Sequence, residues 1–141
     1  MLKNIPRSFT PDLVKLMMEM GHGEELLISD ANYPALTTGS NIPRLYVTEY
    51  SIVKLLADIL RFFPLDDFVE HPVVLMQAAR ESGAYDLYRQ ALSEVTDNPD
   101  CIETVERFDF YDRAAKAVGI VITSDTIKAG NILLKKGVVR D

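Results

Sequence analysis

The chain has 141 residues, of which 48% are hydrophobic and 26% charged, and its formal net charge is -6 at pH 7. This length and this balance predict a single globular domain covering residues 1–141. The acidic charge argues against nucleic acid and anionic membranes as the main partners, because binding to phosphate groups requires a basic face.

The first half of the chain predicts a helix, a strand and a long loop, in that order. Thr10–Asp12 supplies a helix start, with a threonine cap, a proline in the first turn and an acidic side chain near the positive end of the helix dipole. Glu25–Ser29 is a short apolar run of the kind found in buried strands. Residues 30–43 contain Asn, Gly and Pro at intervals, which predicts a loop long enough to carry function.

The second half predicts a regular alternation of helices and strands. Thr48 is expected to cap a helix that runs to about Phe63 and stops at Pro64. The elements expected after it are a strand at Val73–Met76, a helix from about Ala84 to Val95, a strand at Ile102–Val105, a helix at Phe108–Val118, and strands at Ile120–Thr123 and Asn131–Leu134. This alternation predicts an α/β fold with a largely parallel central sheet flanked by helices, in which ligands bind at strand ends.

Cysteine usage and hydropathy indicate where such a protein works. Cys101 is the only cysteine, so the sequence offers neither a disulfide framework nor a cysteine-based metal motif. No apolar run reaches the ~20 residues that span a bilayer, and the N-terminus lacks the apolar core of a signal peptide. We therefore expect a protein of the reducing cytoplasm that does not enter a membrane.

The predicted strand Glu25–Ser29 lies between the two strongest chemical signals in the sequence. His22, set between two glycines, precedes this strand, and Asp30 follows it directly. A histidine exchanges protons near neutral pH and an aspartate accepts hydrogen bonds, a combination that suits proton transfer on a neutral polyol. At about 3.3 Å per strand residue the two side chains lie roughly 25 Å apart. Either the chain bends at Gly23 or a neighbouring chain completes the site.

Other candidate ligand sites have weaker support. His22, Asp30, His71 and Cys101 lack the spacing of a metal motif, so we expect no metal ion. The glycines beside His22 precede a strand, whereas the glycines of a dinucleotide fingerprint follow one, so we expect no cofactor.

Two further segments are open between a structural role and a binding role. Arg107 lies at a strand-to-helix junction, where its guanidinium group can donate to a polyol or pair with Glu106 or Asp109. Lys128–Asn131 precedes the last strand and forms either a plain turn or a loop that presents a backbone N–H and an amide to hydroxyl groups.

Four short segments stand out when they are taken together. They are Met20–Glu25 (MGHGEE), Ser29–Ala35 (SDANYPA), Glu106–Ala114 (ERFDFYDRA) and Gly130–Val138 (GNILLKKGV). In this order and at this spacing they resemble the fucose mutarotase branch of the fucose mutarotase/ribose pyranase family, and the resemblance extends from about Leu2 to Val138.

The resemblance implies a compact fold of the ribose pyranase type. It also implies a ring-based homo-oligomer, typically a decamer, with monosaccharide sites at the subunit boundaries and proton donation by His22. The sugar contacts that it implies come from five residues: Asp30, Arg107, Ala129, Gly130 and Asn131. The family usually has a tyrosine where this chain has Ala129, so an aromatic wall and a hydroxyl group are missing there. Tyr33 and Tyr111 are the candidates to fill this gap.

The function implied by the resemblance is interconversion of the α and β anomers of L-fucose or a related monosaccharide. A cyclic hemiacetal opens when its ring oxygen gains a proton and its anomeric hydroxyl loses one, and general acid–base catalysis typically accelerates such steps ~10²–10⁴-fold. Two alternatives stay open, a D-ribose pyranase and a non-catalytic sugar-binding or transport accessory, and the alanine at position 129 makes the second of these plausible.

Overall fold

Six strands pair into one central sheet in the computed structural model, which describes residues 1–141. In chain order they are β1 (Glu25–Ser29), β2 (Arg44–Tyr46), β3 (Val73–Met76), β4 (Ile102–Val105), β5 (Gly119–Ile122) and β6 (Ile132–Lys135). Their order across the sheet is β2-β5-β1-β6-β3-β4. Strand β6 runs antiparallel to both of its neighbours and the other pairs are parallel, so the prediction of a largely parallel sheet is confirmed.

Helices cover both faces of this sheet. They are α1 (Pro11–Glu19), α2 (Ala35–Thr38), α3 (Ile52–Leu60), α4 (Ala79–Ser82), α5 (Ala84–Ser93) and α6 (Arg107–Ala114). Alternate strand residues point to opposite faces, so Leu26 and Ile28 pack with α1, α3 and α5 while Leu27 packs with α2 and α6. None of the six helices combines the length and the apolar character needed to cross a membrane.

Helix starts follow the expected capping chemistry, with one correction. The Thr10 hydroxyl accepts from the Leu13 amide at 3.2 Å, as predicted for the start of α1. The cap of α3 is Ser51, whose hydroxyl accepts from the Lys54 amide at 3.3 Å, so the prediction of Thr48 was wrong. The first N–H group of α3, that of Ile52, donates to the carboxylate of Asp125 at 2.9 Å. This long-range contact was not visible in the local sequence.

Other boundaries also differ from the predictions. The expected loop at residues 30–43 contains the one-turn helix α2, and β2 follows it directly. The short helix α4 precedes α5, and the chain turns between them at Gly83. Helix α6 ends at Ala114 rather than at Val118.

The direction of the strands brings chemically useful residues to one edge of the sheet. Strands β1, β3 and β4 end at this edge, followed by Asp30, Gln77 and Glu106. Strand β6 is antiparallel, so it begins at the same edge, next to Asn131. His22 precedes β1 in the sequence and therefore lies at the opposite edge of the sheet.

Candidate active site

A cavity of about 520 Å³ opens at the edge where β1, β3 and β4 end and β6 begins. This volume lies within the ~300–1,000 Å³ of typical small-molecule sites. Four of the six predicted site residues line it: Asp30, Arg107, Ala129 and Asn131. The other residues of its wall include Asn32, Tyr33, Gln77, Tyr111 and Lys128.

Asp30 is held by hydrogen bonds on every side. One carboxylate oxygen accepts from the Asn32 amide at 2.9 Å, and the other accepts from the Gly130 amide at 3.2 Å. Its own backbone N–H donates to the side-chain oxygen of Asn131 at 2.8 Å. The two predicted segments around Asp30 and Asn131, 101 residues apart in sequence, are therefore fastened to each other.

The environment of Asp30 also changes its acidity. The residue is only 5% exposed. Burial raises the pKa of Asp30 above its ordinary value, although the hydrogen bonds from Asn32, Gly130 and Asn131 favour the charged form and oppose the change. A carboxylate whose pKa is raised is a stronger base, and a stronger acceptor of hydrogen bonds from hydroxyl groups, than an ordinary aspartate.

The loop before β6 is fixed by a buried tyrosine. The Tyr88 hydroxyl, on α5, donates to the Gly130 carbonyl at 2.7 Å. A side chain at position 130 would have no room, because a Cβ there would lie 2.5 Å from the Ile127 side chain and 3.1 Å from the Tyr88 hydroxyl oxygen. Ala129 has a φ angle of 54°, a left-handed conformation that is costly outside glycine and persists only where the surroundings enforce it.

Arg107 reaches the cavity as a free cation. It forms no ion pair with Glu106 or Asp109, the two partners considered from the sequence. The Glu106 carboxylate instead caps α6 by accepting from the Phe108 amide at 2.7 Å. The Arg107 guanidinium lies over the Phe108 ring, 4.5 Å from its centre, which leaves its N–H groups available to a ligand.

His22 lies outside this cavity. Strand β1 is extended over its whole length, and the Gly23 amide donates to the Lys136 carbonyl at 2.8 Å beyond the strand's start. The turn at Gly23 therefore does not bring His22 back toward Asp30. The His22 side chain is 45% exposed, and its Nε2 lies 3.0 Å from an oxygen of Asp66.

Several cavity residues lie outside the set of site residues predicted from the sequence. Tyr33 and Tyr111 form an aromatic wall, with ring centres 5.6 Å apart, and Gln77 and Lys128 add exposed polar groups. Tyr33 lies three residues after Asp30, in the loop that was predicted to be long enough to carry function, so a signal for it was present. Gln77 had none, because its place depends on the pairing of β3 with β6.

Comparison with known proteins gives full-length matches. Residues 3–139 match the RbsD / FucU transport protein family. The L-fucose mutarotase of Actinobacillus pleuropneumoniae serotype 5b is 40% identical over 142 residues, which cover 98% of this chain and 97% of that protein. The L-fucose mutarotase of Glaesserella parasuis serovar 5 is 39% identical, covering 98% and 96% of the two chains.

Solved structures agree with the fold. FucU from Bifidobacterium longum superposes with a TM-score of 0.91 at 34% identity and covers 96% of this chain and 100% of its own. The fucose mutarotase from Streptococcus pneumoniae, solved in complex with L-fucose, gives 0.89 at 38% identity, covering 99% and 100%. RbsD from Bacillus subtilis, solved with D-ribose, is 17% identical with a TM-score of 0.79 and shows the fold alone. By sequence and by structure, this chain belongs to the RbsD / FucU family.

Proposed function

We propose that this chain is an L-fucose mutarotase, an isomerase that interconverts the α and β anomers by opening and reclosing the sugar ring. The observation that carries the proposal is the cavity at Asp30, where the chain fastens Asp30, Gly130 and Asn131 together beside a free arginine. The similarity to a fucose mutarotase solved with L-fucose supports the choice of sugar.

The sugar-binding groups of this cavity suit a neutral polyol. The carboxylate of Asp30 accepts hydrogen bonds from hydroxyl groups, and the guanidinium of Arg107 and the amide of Asn131 donate to ring or hydroxyl oxygens. The wall formed by Tyr33 and Tyr111 offers an apolar surface to the C–H face of the ring or to the methyl group of a deoxy sugar.

In the chemical step, only protons pass between the protein and the sugar. In our proposal the His22 imidazolium gives a proton to the ring oxygen, and the bond between that oxygen and C1 breaks as the C1 carbonyl forms. The anomeric oxygen then returns a proton to the neutral imidazole, so the histidine ends as it began. Rotation about C1–C2 and the reverse steps yield the other anomer. Such acid–base transfer supplies ~10²–10⁴-fold acceleration.

One chain does not place His22 beside its own Asp30, so we propose that a second copy completes the site. From Glu24 to Asp30 the extended strand spans roughly 20 Å at ~3.3 Å per residue. Apolar side chains near His22 are open to solvent, among them Phe68, which is 68% exposed and whose ring centre lies 5.0 Å from that of His22. Contact between copies would cover such a surface. A ring-based decamer in the cytoplasm is the assembly that we expect.

Exchange NMR on the anomeric protons of L-fucose tests the proposal. The wild-type chain should speed α/β exchange, and Arg107→Ala should slow it at low sugar concentration by raising KM. Arg89→Ala is the matched control, because Arg89 is an exposed arginine paired with Asp100 outside the cavity. Sugar binding without any change in the exchange rate would indicate an accessory protein instead. Faster exchange between pyranose and furanose forms of D-ribose, without an effect on L-fucose, would indicate a pyranase.

A further inference from the structure

Tyr88 carries a polar group through the apolar core to the backbone behind the sugar cavity. The residue lies on α5, is only 1% exposed and packs with the core on that face of the sheet. Its hydroxyl donates to the Gly130 carbonyl at 2.7 Å. Burial raises the pKa of this hydroxyl above its ordinary value, and the charges of Asp125 and Asp30 act in the same direction. The hydroxyl therefore keeps its hydrogen at neutral pH and is a constant donor to Gly130.

The peptide group that Tyr88 holds has its other end at the cavity. The Gly130 carbonyl and the Asn131 N–H belong to one trans peptide group, in which oxygen and hydrogen point in opposite directions. Asn131 is 3% exposed and lines the cavity, and its backbone N–H donates to no acceptor in the chain. Buried N–H groups almost always have a partner, so this one takes an acceptor from outside the chain.

The hydrogen bond from Tyr88 acts on both the direction and the strength of this N–H. A planar peptide group is oriented as a unit, so a donor fixed to its oxygen also fixes the direction of its hydrogen. Hydrogen bonds in a chain polarise one another, by ~10–30% per bond, so the bond to the Gly130 oxygen makes the Asn131 N–H a stronger donor. The preceding residue, Ala129, has a φ angle of 54°, which its surroundings must enforce, and the contact with Tyr88 is part of those surroundings.

We infer that Tyr88 is a positioning residue for the sugar: its hydroxyl orients and polarises the peptide group between Gly130 and Asn131, so that the Asn131 N–H donates to an oxygen of the bound monosaccharide. This inference rests on the proposed mutarotase function. Tyr88 acts through the peptide group, because its own side chain does not line the cavity.

Solid-state NMR of the ¹³C,¹⁵N-labelled chain tests the first half of the inference without any sugar and at any assembly size. Tyr88→Phe removes the hydroxyl and keeps the ring. We expect the Gly130 carbonyl carbon and the Asn131 amide nitrogen to move to lower frequency, because the peptide group loses polarisation. Unchanged resonances in this variant overturn the inference.

Tyr85→Phe is the matched control for this measurement. Tyr85 lies on the same helix, is half-buried, and has its ring under the Arg80 guanidinium, 4.1 Å from the ring centre, outside the cavity. Its hydroxyl makes no hydrogen bond to the Gly130 carbonyl, which accepts from Tyr88. The same chemical change at Tyr85 should therefore leave the Gly130 and Asn131 resonances at their wild-type positions, and equal shifts in both variants contradict a specific role of Tyr88.

Titration with L-fucose tests the second half. In the wild-type chain, bound sugar should move the Asn131 amide proton to higher frequency, as a new hydrogen bond does. Saturation with L-fucose that leaves this proton unchanged overturns the inference, and this measurement needs no variant, so it holds even where Tyr88→Phe does not fold.

The kinetics of anomer exchange separate positioning from a loss of folded protein. Tyr88→Phe should raise KM by about three- to tenfold and leave kcat within about twofold, because weakening one hydrogen bond to the sugar removes binding that the ground state and the transition state share. A purely structural role would lower the folded fraction, and therefore kcat, at the wild-type KM. That result, or wild-type values of both constants, overturns the inference.

Failure of the proposed function gives a different pattern. A wild-type chain that neither binds L-fucose nor exchanges its anomers would refute the function. The resonances of Gly130 and Asn131 in Tyr88→Phe would still decide whether Tyr88 polarises this peptide group.

Discussion

The two ends of strand β1 differ in how much of their structure one chain supplies. At the Asp30 end, both carboxylate oxygens have backbone donors and Tyr88 fixes the neighbouring loop. At the other end, His22 is 45% exposed and has a single hydrogen-bond partner, and the aromatic ring beside it faces solvent. The sugar-binding half of the proposed site is thus complete in one copy, and the proton-transfer half is presented outward.

Removing the imidazole should give the largest effect and separates the two ends most clearly. His22→Ala should lower the rate of anomer exchange by ~10²–10⁴-fold, because the acid–base group is lost. Sugar binding at the Asp30 end should persist, and saturation-transfer NMR measures it alongside the exchange rate. Wild-type exchange in this variant would remove His22 from the mechanism.

The free energy of unfolding should depend more on the Asp30 end of β1 than on the His22 end, the opposite of the order expected for activity. Asn131→Ala leaves the buried Asp30 N–H without its acceptor, and loss of one partner of a buried pair costs about 1–3 kcal/mol. His22→Ala breaks a contact of a half-exposed side chain, which is worth about 0–1 kcal/mol. Urea unfolding of the two variants measures both values. An equal or larger loss in His22→Ala would contradict the difference that we describe between the two ends.

Mixing two inactive variants tests whether the ends of different copies meet. If each site takes His22 from one copy and Asp30 from another, a co-refolded equal mixture of His22→Ala and Asp30→Asn contains intact sites. About a quarter of the wild-type activity should return when copies assemble at random. Each variant mixed with itself is the control. No recovery in assemblies shown by native mass spectrometry to contain both variants would exclude a shared site, as would a fully active monomer at high dilution.

The smallest effect concerns pH at the Asp30 end. Because burial raises the pKa of Asp30, the folded chain binds that proton more tightly than the unfolded chain does. The resulting stabilisation is fully present below about pH 4, the ordinary pKa of an aspartate, and is lost as pH rises through the higher folded value. Between acidic and neutral pH, the free energy of unfolding of the wild type should fall relative to that of Asp30→Asn as the pH rises. Unfolding curves of both proteins measure it. Parallel curves would show that burial does not shift this carboxyl.

Much of the fold could be predicted, because the local sequence of several elements is sufficient to identify them. The predicted bounds of β1, β3 and β4 agree with the structure residue for residue, and Thr10 marked the start of α1. Strand β2 was missed because its three residues are not an apolar run and its formation depends on pairing with β5. The antiparallel direction of β6 was missed for a similar reason, since a four-residue strand carries no local sign of its direction.

The same distinction between local sequence and long-range contacts holds for the residues of the candidate site. Asp30 could be found because it directly follows a predicted strand, and Asn131 was assigned to the site through the family resemblance. The structure joins them at 2.8 Å. The pairing of His22 with Asp66 links positions 44 residues apart through the anchoring of Asp66 to β6, which no local pattern shows. The position of Arg107 at a strand-to-helix junction was predicted. That it forms no ion pair with Glu106 could not be, because the Glu106 carboxylate caps α6 in the folded chain.

Strand β6 has a consequence for hydrogen–deuterium exchange. It begins beside Asn131, ends at the carbonyl that anchors Asp66, and is bonded to a neighbour on each side. Amides of such a strand open only when the whole molecule unfolds, so their deuterium uptake should be the slowest in the chain. Slow uptake would mean that both halves of the proposed site are attached to a backbone that is ordered without a ligand, so that binding energy need not be spent on ordering it.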